Sequence, residues 1–314
     1  MRLRIFTEPQ QGASYEQLLA VARAAEECGF DAFFRSDHYV RIGGGDGRPG
    51  PTDAWITLAA LARETNRIRL GTMLSPATFR LPAQLAVIVA QVDVMSGGRV
   101  ELGLGAGWFE EEHREFGIPF PPSTSERFER LEEQLQIITG MWATTDQDRF
   151  SFSGKHYQVT NNAGLPKPGQ VPRPPIIVGG KGTRRTPEIA ARFADECNVS
   201  FASVAHCAKV FQALDAACVR VGRDPSTVRR SAVQVVCAGR NDQEISRRAA
   251  AIGHGIGDEF AQDGAVGTAA EVAQKLMSYG KAGVTTMYLQ ILDLADIDHI
   301  RFIAEEVAPI VQGV

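Results

Sequence analysis

The sequence predicts an α/β fold of the (β/α)8 TIM-barrel class, with an insertion after the fourth helix. Three observations point there. Short apolar segments alternate with amphipathic helical ones from end to end, the pattern of a parallel sheet with helical crossovers. Eight such pairs fit into 314 residues, about the usual ~250 of a barrel plus an insertion. Glycine clusters recur where strands end, which is where parallel α/β proteins place their ligands. An open doubly wound sheet is the alternative reading of the same alternation.

Taken in order, residues 2–7 form the first strand and 15–28 a helix, with Leu18, Leu19, Ala22 and Ala25 at helical spacing and Gly29 to stop it. Strand two is 31–35. A Gly/Pro loop over 42–51 leads to a helix at 53–64, then strand three at 68–74. Pro82 stands where the next helix begins, and that helix runs to Met95. Strand four covers 99–104, and a helix covers 125–142. Residues 143–175 break the rhythm: 150–159 alternates around Ser153-Gly154 like a β-hairpin, and a proline-rich return follows. Alternation resumes with strands at 176–178, 197–201, 232–238 and 284–289. The helices between and after them lie at 186–194, 205–221, 242–252, 269–279 and 297–311.

The totals bound the function. With 44% apolar and 22% charged residues the chain can bury a substantial core, and 1–314 reads as one barrel domain. A net charge of −4 gives no general attraction to nucleic acid or anionic lipid. No apolar run approaches the ~18 residues of a membrane span. The opening MRLRIFTEP lacks the apolar core of a secretory signal, so a cytoplasmic location is expected. The five cysteines (28, 197, 207, 218, 237) are scattered and odd in number, and buried free thiols are expected of them.

In a barrel the chemistry gathers at the C-terminal strand ends. The sequence puts Glu8, Asp37, His38, Gly105, Ala106, Gly107, Trp108 and residues 179–182 there. His38 is the clearest proton carrier, since an unperturbed imidazole titrates near ~6.5. Asp37 beside it is placed to hold one tautomer or to contact a ring nitrogen. A histidine that only hydrogen-bonds a loop would look the same. After strand five, Gly179, Gly180, Lys181 and Gly182 offer unhindered N–H groups at a helix start, which suits a phosphate. Lys181, Arg184 and Arg185 add positive charge there. A plain turn with exposed basic residues is the alternative. Glu110, Glu111, Glu112 and His113 read as a charged, solvated helix start, and no metal is expected.

Residues 96–116, SGGRVELGLGAGWFEEEHREF, combine several of these features. Ser96-Gly97-Gly98 ends a helix, a buried strand follows, and Gly105-Ala106-Gly107 leaves bare backbone that a flat ring or a phosphate can approach. The run is not a dinucleotide fingerprint, because Trp108 stands where the third glycine belongs. With Phe116-Gly117-Ile118-Pro119-Phe120 behind it, the stretch resembles the corresponding strand of the bacterial luciferase-like family of flavin and deazaflavin enzymes. The resemblance continues at Ser36-Asp37-His38, at Leu70-Gly71-Thr72-Met73-Leu74-Ser75-Pro76-Ala77-Thr78-Phe79-Arg80, and at 175–186.

That resemblance implies an oxidoreductase using the deazaflavin coenzyme F420 for hydride transfer to or from a small organic substrate. It implies His38 by the reactive ring carbon, Asp37 by the ring system, and a cis peptide at Met73–Leu74 pressing on the ring. Residues 179–185 would then hold the coenzyme phosphate. An FMN-dependent monooxygenase with a reductase partner, or a non-catalytic flavin-binding barrel, are the alternatives. Members that oxidise sugar phosphates carry a glutamate where this chain has Trp108, so that acid is missing here. Trp108 and Glu8 are expected to line the substrate pocket. The family usually pairs through barrel helices, and Ala59, Ala60 and Ala62 would permit such a homodimer.

Overall fold

The computed structural model describes residues 1–43, 46–145, 147–255 and 264–313. Residues 44 and 45 of the expected loop, and 146 of the expected insertion, lie outside them. Eight parallel strands follow one another round a ring: β1 (Arg2–Thr7), β2 (Ala32–Arg35), β3 (Arg69–Thr72), β4 (Val100–Gly105), β5 (Ile176–Gly179), β6 (Glu196–Ser200), β7 (Arg229–Ala238) and β8 (Thr286–Ile291). Arg2 of β1 lies beside Thr286 of β8, which closes the barrel and excludes the open sheet.

Local chemistry starts and stops the helices. Ser14 and Gln17 form a capping box at α1 (Tyr15–Glu27), and the Asp53 carboxylate accepts from Trp55 and Ile56 at the start of α2 (Ala54–Glu64). α3 (Pro82–Ser96) ends at Gly97, whose φ of 71° is left-handed. After β4 come a short α4 (Glu110–Glu115) and the long α5 (Thr124–Ala143). The expected hairpin forms from Phe150–Ser153 and Gln158–Asn162, outside the barrel sheet. Then α6 (Arg185–Phe193) follows β5.

Three expectations need correction. β7 begins at Arg229, earlier than its apolar run, because Arg229–Ser231 pair with β6. A short strand, Ala265–Gly267, pairs with the end of β7 and is too brief to show as a pattern. The last helix is not continuous: Ile297–Phe302 gives way to a π turn over Ile303–Val307 before Ala308–Gln312. Pro309, which lacks a backbone donor, stands just past that turn.

Alternation along β1 shows how the core divides. Leu3 and Ile5 face the helices and join the main apolar cluster, while Phe6 joins Phe34, Met73, Ile177, Val233 and Tyr288 in a second cluster. Below that layer, at the N-terminal ends of the strands, the core is charged. Arg4 donates to both oxygens of Glu101 at 2.8 and 3.1 Å, to Tyr288 Oη at 2.8 Å and to Asp31 at 2.6 Å. Tyr288 Oη donates to Glu196 at 2.8 Å, which also accepts from Arg229 at 3.2 Å. Burial alone would raise the Glu101 carboxyl, but Arg4, Arg69 and Arg229 hold it down to about 2. All five cysteines are unpaired, as expected. Among the described residues no helix is long and apolar enough to cross a membrane.

Candidate active site at the mouth of the barrel

The floor of the mouth is built where β3 ends. The Met73–Leu74 peptide is cis, as the family resemblance implies, and the chain resumes as Ser75–Pro76 against Leu104 and Gly105. The glycines of β4 and β5 make this packing possible. A Cβ on Gly103 would stand 1.9 Å from the Thr72 carbonyl oxygen, and one on Gly179 would stand 2.6 Å from Leu74 Cδ1. Gly105 leaves 3.3 Å to the same Leu74 atom. The backbone expected to lie bare at Gly105 and Gly179 is therefore covered by the half-buried Leu74 side chain. A flat ligand entering here meets Leu74 first.

The wall beside it comes from the loop after β2. Asp37 is buried and accepts from Ser75 Oγ at 2.6 Å and from Arg80 at 2.5 and 3.2 Å. Arg80 also reaches Asp53 and Tyr39 Oη, so one guanidinium ties this loop to the start of α2. Of the two contacts considered for Asp37, the one to the His38 ring is made instead by Glu112, whose Oε2 lies 2.9 Å from His38 Nδ1. The other Glu112 oxygen accepts from the backbone N–H groups of Tyr39 and Val40. The His38 ring meets Trp108 and Phe109 edge-on at 6.0 and 6.2 Å. Trp108 stacks on Phe109 at 5.1 Å and is 62% exposed, so it is not a core aromatic.

Glu8, at the end of β1, completes this group. Burial pushes its carboxyl up, against the pull of Gln11, of His38 and of Gln290. Gln10, two residues on, is buried with its Nε2 unpartnered among the described residues.

Around the rim, the loop after β5 has the form expected of an anion cradle. Gly180 has a φ of 154°, and a Cβ on it would stand 2.9 Å from Thr186 Oγ1. That hydroxyl is buried and has no hydrogen-bond partner among the described residues, although it lies within the first turn of α6. It is a donor left over beside a glycine loop, which suits a phosphate oxygen. Lys181 and Arg184 are exposed, and Arg185 packs over Phe128 at 5.5 Å.

His38, Glu8, Trp108 and Leu74 thus belong to one mouth, with residues 179–186 on its rim. Glu112 is the residue that sequence reasoning missed. It was expected in a solvated helix start, yet Glu112 and His113 are buried while Glu110 and Glu111 are exposed. A signal existed: Phe109, Glu112-His113 and Phe116 share one face at helical spacing. Among the described residues no cluster could hold a metal ion.

Residues 1–262 match the sequence model of the family described as luciferase-like monooxygenase. The F420-dependent glucose-6-phosphate dehydrogenase of Microbacterium testaceum is 36% identical over 180 residues, 57% of this chain and 51% of the relative. The FMNH(2)-dependent dimethylsulfone monooxygenase of Pseudomonas putida is 31% identical over 175 residues, 56% of this chain and 46% of the relative. The chain thus spans about half the length of these curated relatives. In fold it is similar to an F420-dependent secondary alcohol dehydrogenase solved with an F420–acetone adduct, with a TM-score of 0.84 at 19% identity, covering 99% of this chain and 98% of that one. A family match over residues 1–262, well over half of the chain, shows that this chain belongs to the luciferase-like monooxygenase family.

Proposed function

We propose that the chain is an oxidoreductase that uses the deazaflavin coenzyme F420 for hydride transfer to or from a small organic substrate. The observation that carries the reading is the grouping of His38 and Glu8 above the Leu74 floor, with the unpartnered Thr186 hydroxyl on the rim. A deazaflavin supplies or accepts a hydride and activates oxygen poorly. Leu74, Met73 and residues Gly105, Ala106 and Gly107 would support its ring, with Asp37 behind them keeping Arg80 in place. Gly179, Gly180, Gly182 and Thr186 would hold its phosphate, with Lys181 and Arg185 adding charge. His38 gives or takes the proton that accompanies the hydride on the substrate.

A flavin or deazaflavin is supported by relatives of both kinds, and F420 is our choice between them. The FMN-dependent monooxygenase is the second reading, favoured by the dimethylsulfone monooxygenase relative. The glucose 6-phosphate of the other relative does not suit this mouth. Trp108 replaces the glutamate of sugar-phosphate oxidisers, and the exposed Glu110 and Glu111 beside it repel a phosphate. A flat, uncharged carbonyl, imine or alcohol fits the Trp108–Phe109 wall better.

The test is turnover. Reduced F420 offered enones and imines, and oxidised F420 offered alcohols, should give coenzyme-dependent turnover with at least one class and none with glucose 6-phosphate. Oxygen-dependent turnover with reduced FMN alone would establish the second reading instead.

A homodimer through α2 and α3 is part of the proposal. Ile56 of α2, Val94 of α3 and Leu81 at the start of α3 are exposed, and Val87 and Ile88 of α3 are half-buried beside them. Ala59 and Ala60 are half-buried there, but Ala62 lies in the core and cannot contribute. Light scattering at micromolar concentration should return twice the chain mass.

A further inference from the structure

Glu112 uses its two oxygens differently. Oε1 takes two backbone donors, the N–H groups of Tyr39 and Val40, the latter at 3.0 Å. Oε2 faces only His38 Nδ1, at 2.9 Å. The carboxylate has no exposed surface, whereas its neighbours Glu110 and Glu111 point to solvent. A carboxylate oxygen can only accept, so Nδ1 must carry the hydrogen between them. His38 Nε2 has no hydrogen-bond partner among the described residues, and the side chain keeps 12% of its surface exposed at the mouth.

We infer that Glu112 is a positioning residue that fixes neutral His38 in its Nδ1–H tautomer, so that Nε2 presents a lone pair to the ligand. The kinetic part of this inference rests on the role proposed for His38, while the tautomer itself does not. In that state His38 accepts a proton from an alcohol as the substrate is oxidised. In the reverse direction the imidazolium returns it, and Glu112 balances the charge. A buried carboxylate that orients an imidazole and stabilises its charged form is how the aspartate of a Ser-His-Asp triad acts.

The geometry makes the test specific. In Glu112→Gln the Tyr39 and Val40 donors still need an acceptor, so they hold the amide oxygen where Oε1 now lies. The amide NH2 is then left facing His38 Nδ1 as a donor. The imidazole must answer by moving its proton to Nε2, which reverses the tautomer while every backbone donor stays satisfied. Nitrogen-15 NMR of histidine-labelled full-length protein reads this directly, with the His38 signals assigned by their loss in His38→Ala.

We expect protonated Nδ1 and bare Nε2 in the neutral ring of the parent protein, and the opposite in the neutral ring of Glu112→Gln. Single-turnover hydride transfer in that variant should fall by on the order of ten- to a thousand-fold, and no further than on removing the His38 imidazole altogether. A neutral parent ring with its hydrogen on Nε2, or a Glu112→Gln protein that is folded by circular dichroism and whose neutral ring keeps Nδ1–H, overturns the inference. The first of these needs no variant, so the inference stays testable even where Glu112→Gln does not fold. A reversed tautomer with an unchanged rate supports the hold of Glu112 on the ring and overturns the role of His38 instead.

Discussion

The two ends of the barrel carry similar side chains under opposite accounting. At the N-terminal end Arg4, Glu101, Glu196 and Tyr288 are fully buried and each charge is answered by another within the protein, although Arg229 Nη2 and the Thr286 hydroxyl there have no hydrogen-bond partner among the described residues. At the C-terminal end Glu8 is not answered in full, Gln10 Nε2 and Thr186 Oγ1 have no partner among the described residues, and His38 is bonded on one side only. The two glutamates make the contrast plain. Both lose water; Glu101 ends low because three arginines outweigh burial, and Glu8 ends high because its partners do not. A closed set of charges specifies a structure, and an open set is prepared for something that arrives later.

The largest expected effect lies at the closed end. Arg4→Met would leave Glu101 and Glu196 buried beside an apolar side chain, and removing one partner of a buried pair costs about 3–5 kcal/mol. Urea unfolding should show that loss. A loss below about 1 kcal/mol would mean that Arg69 and Arg229 suffice, and the end would not be closed in the sense argued here.

At the open end the balance reverses. His38→Ala should leave the protein folded, at a cost set by the loss of the Glu112 Oε2 partner, while lowering the hydride-transfer rate by on the order of ten- to a thousand-fold, the scale of losing an acid–base group. Unchanged single-turnover kinetics would remove His38 from the mechanism and leave the mouth without its proton carrier.

These ends were not equally legible in sequence. Strand order and most helix limits follow from alternation and caps, whereas the cis peptide position is implied only by the family resemblance of the run from Leu70 to Arg80. The charged plug did not. In β1, R-L-R-I-F alternates like a strand with one wet face, and only closure of the barrel turns that second face into an interior. Glu112 was hidden for the opposite reason. Three consecutive glutamates look solvated, and only the fold shows that the third turns inward to the loop after β2. Charge in a sequence says nothing of its partner.

Acid should separate the ends again. The folded Glu101 carboxyl sits below its unfolded value, so its contribution to stability is present above about 4.5 and is lost as pH falls toward about 2. The folded Glu8 carboxyl is raised, so ionising it costs stability, and acidification relieves that cost. Glu8→Gln should therefore be more stable than the parent at pH 7, with the gain shrinking as pH falls below the raised value. Unfolding midpoints of both proteins across that range would show it. A constant difference at every pH would mean that Glu8 is not held high.

The smallest effect expected is on coenzyme choice, and it tests how far the open end extends. FMN and F420 each bring a ring and a phosphate, so the Leu74 floor and the Thr186 cradle treat them alike. They differ beyond the phosphate, where the deazaflavin continues through lactate into a tail rich in carboxylates. Lys181 and Arg184 stand exposed at that exit, and Arg184 lies only loosely by Glu188 at 3.9 Å. Arg185 is 3.9 Å from Glu132, so its charge is also only partly answered. Exposed pairs of this kind are worth about 0–1 kcal/mol each, and 0.1 M salt screens them beyond roughly 10 Å. F420 should thus bind several-fold tighter than FMN at low salt. Raising salt, or making Lys181 and Arg185 neutral together, should weaken F420 more than FMN and so shrink that margin, because only F420 carries the tail carboxylates beyond the shared phosphate. Fluorescence titration of both coenzymes decides the matter: equal affinities, or tighter FMN, would mean that the open end stops at the phosphate, and the chain would then fit the monooxygenase reading.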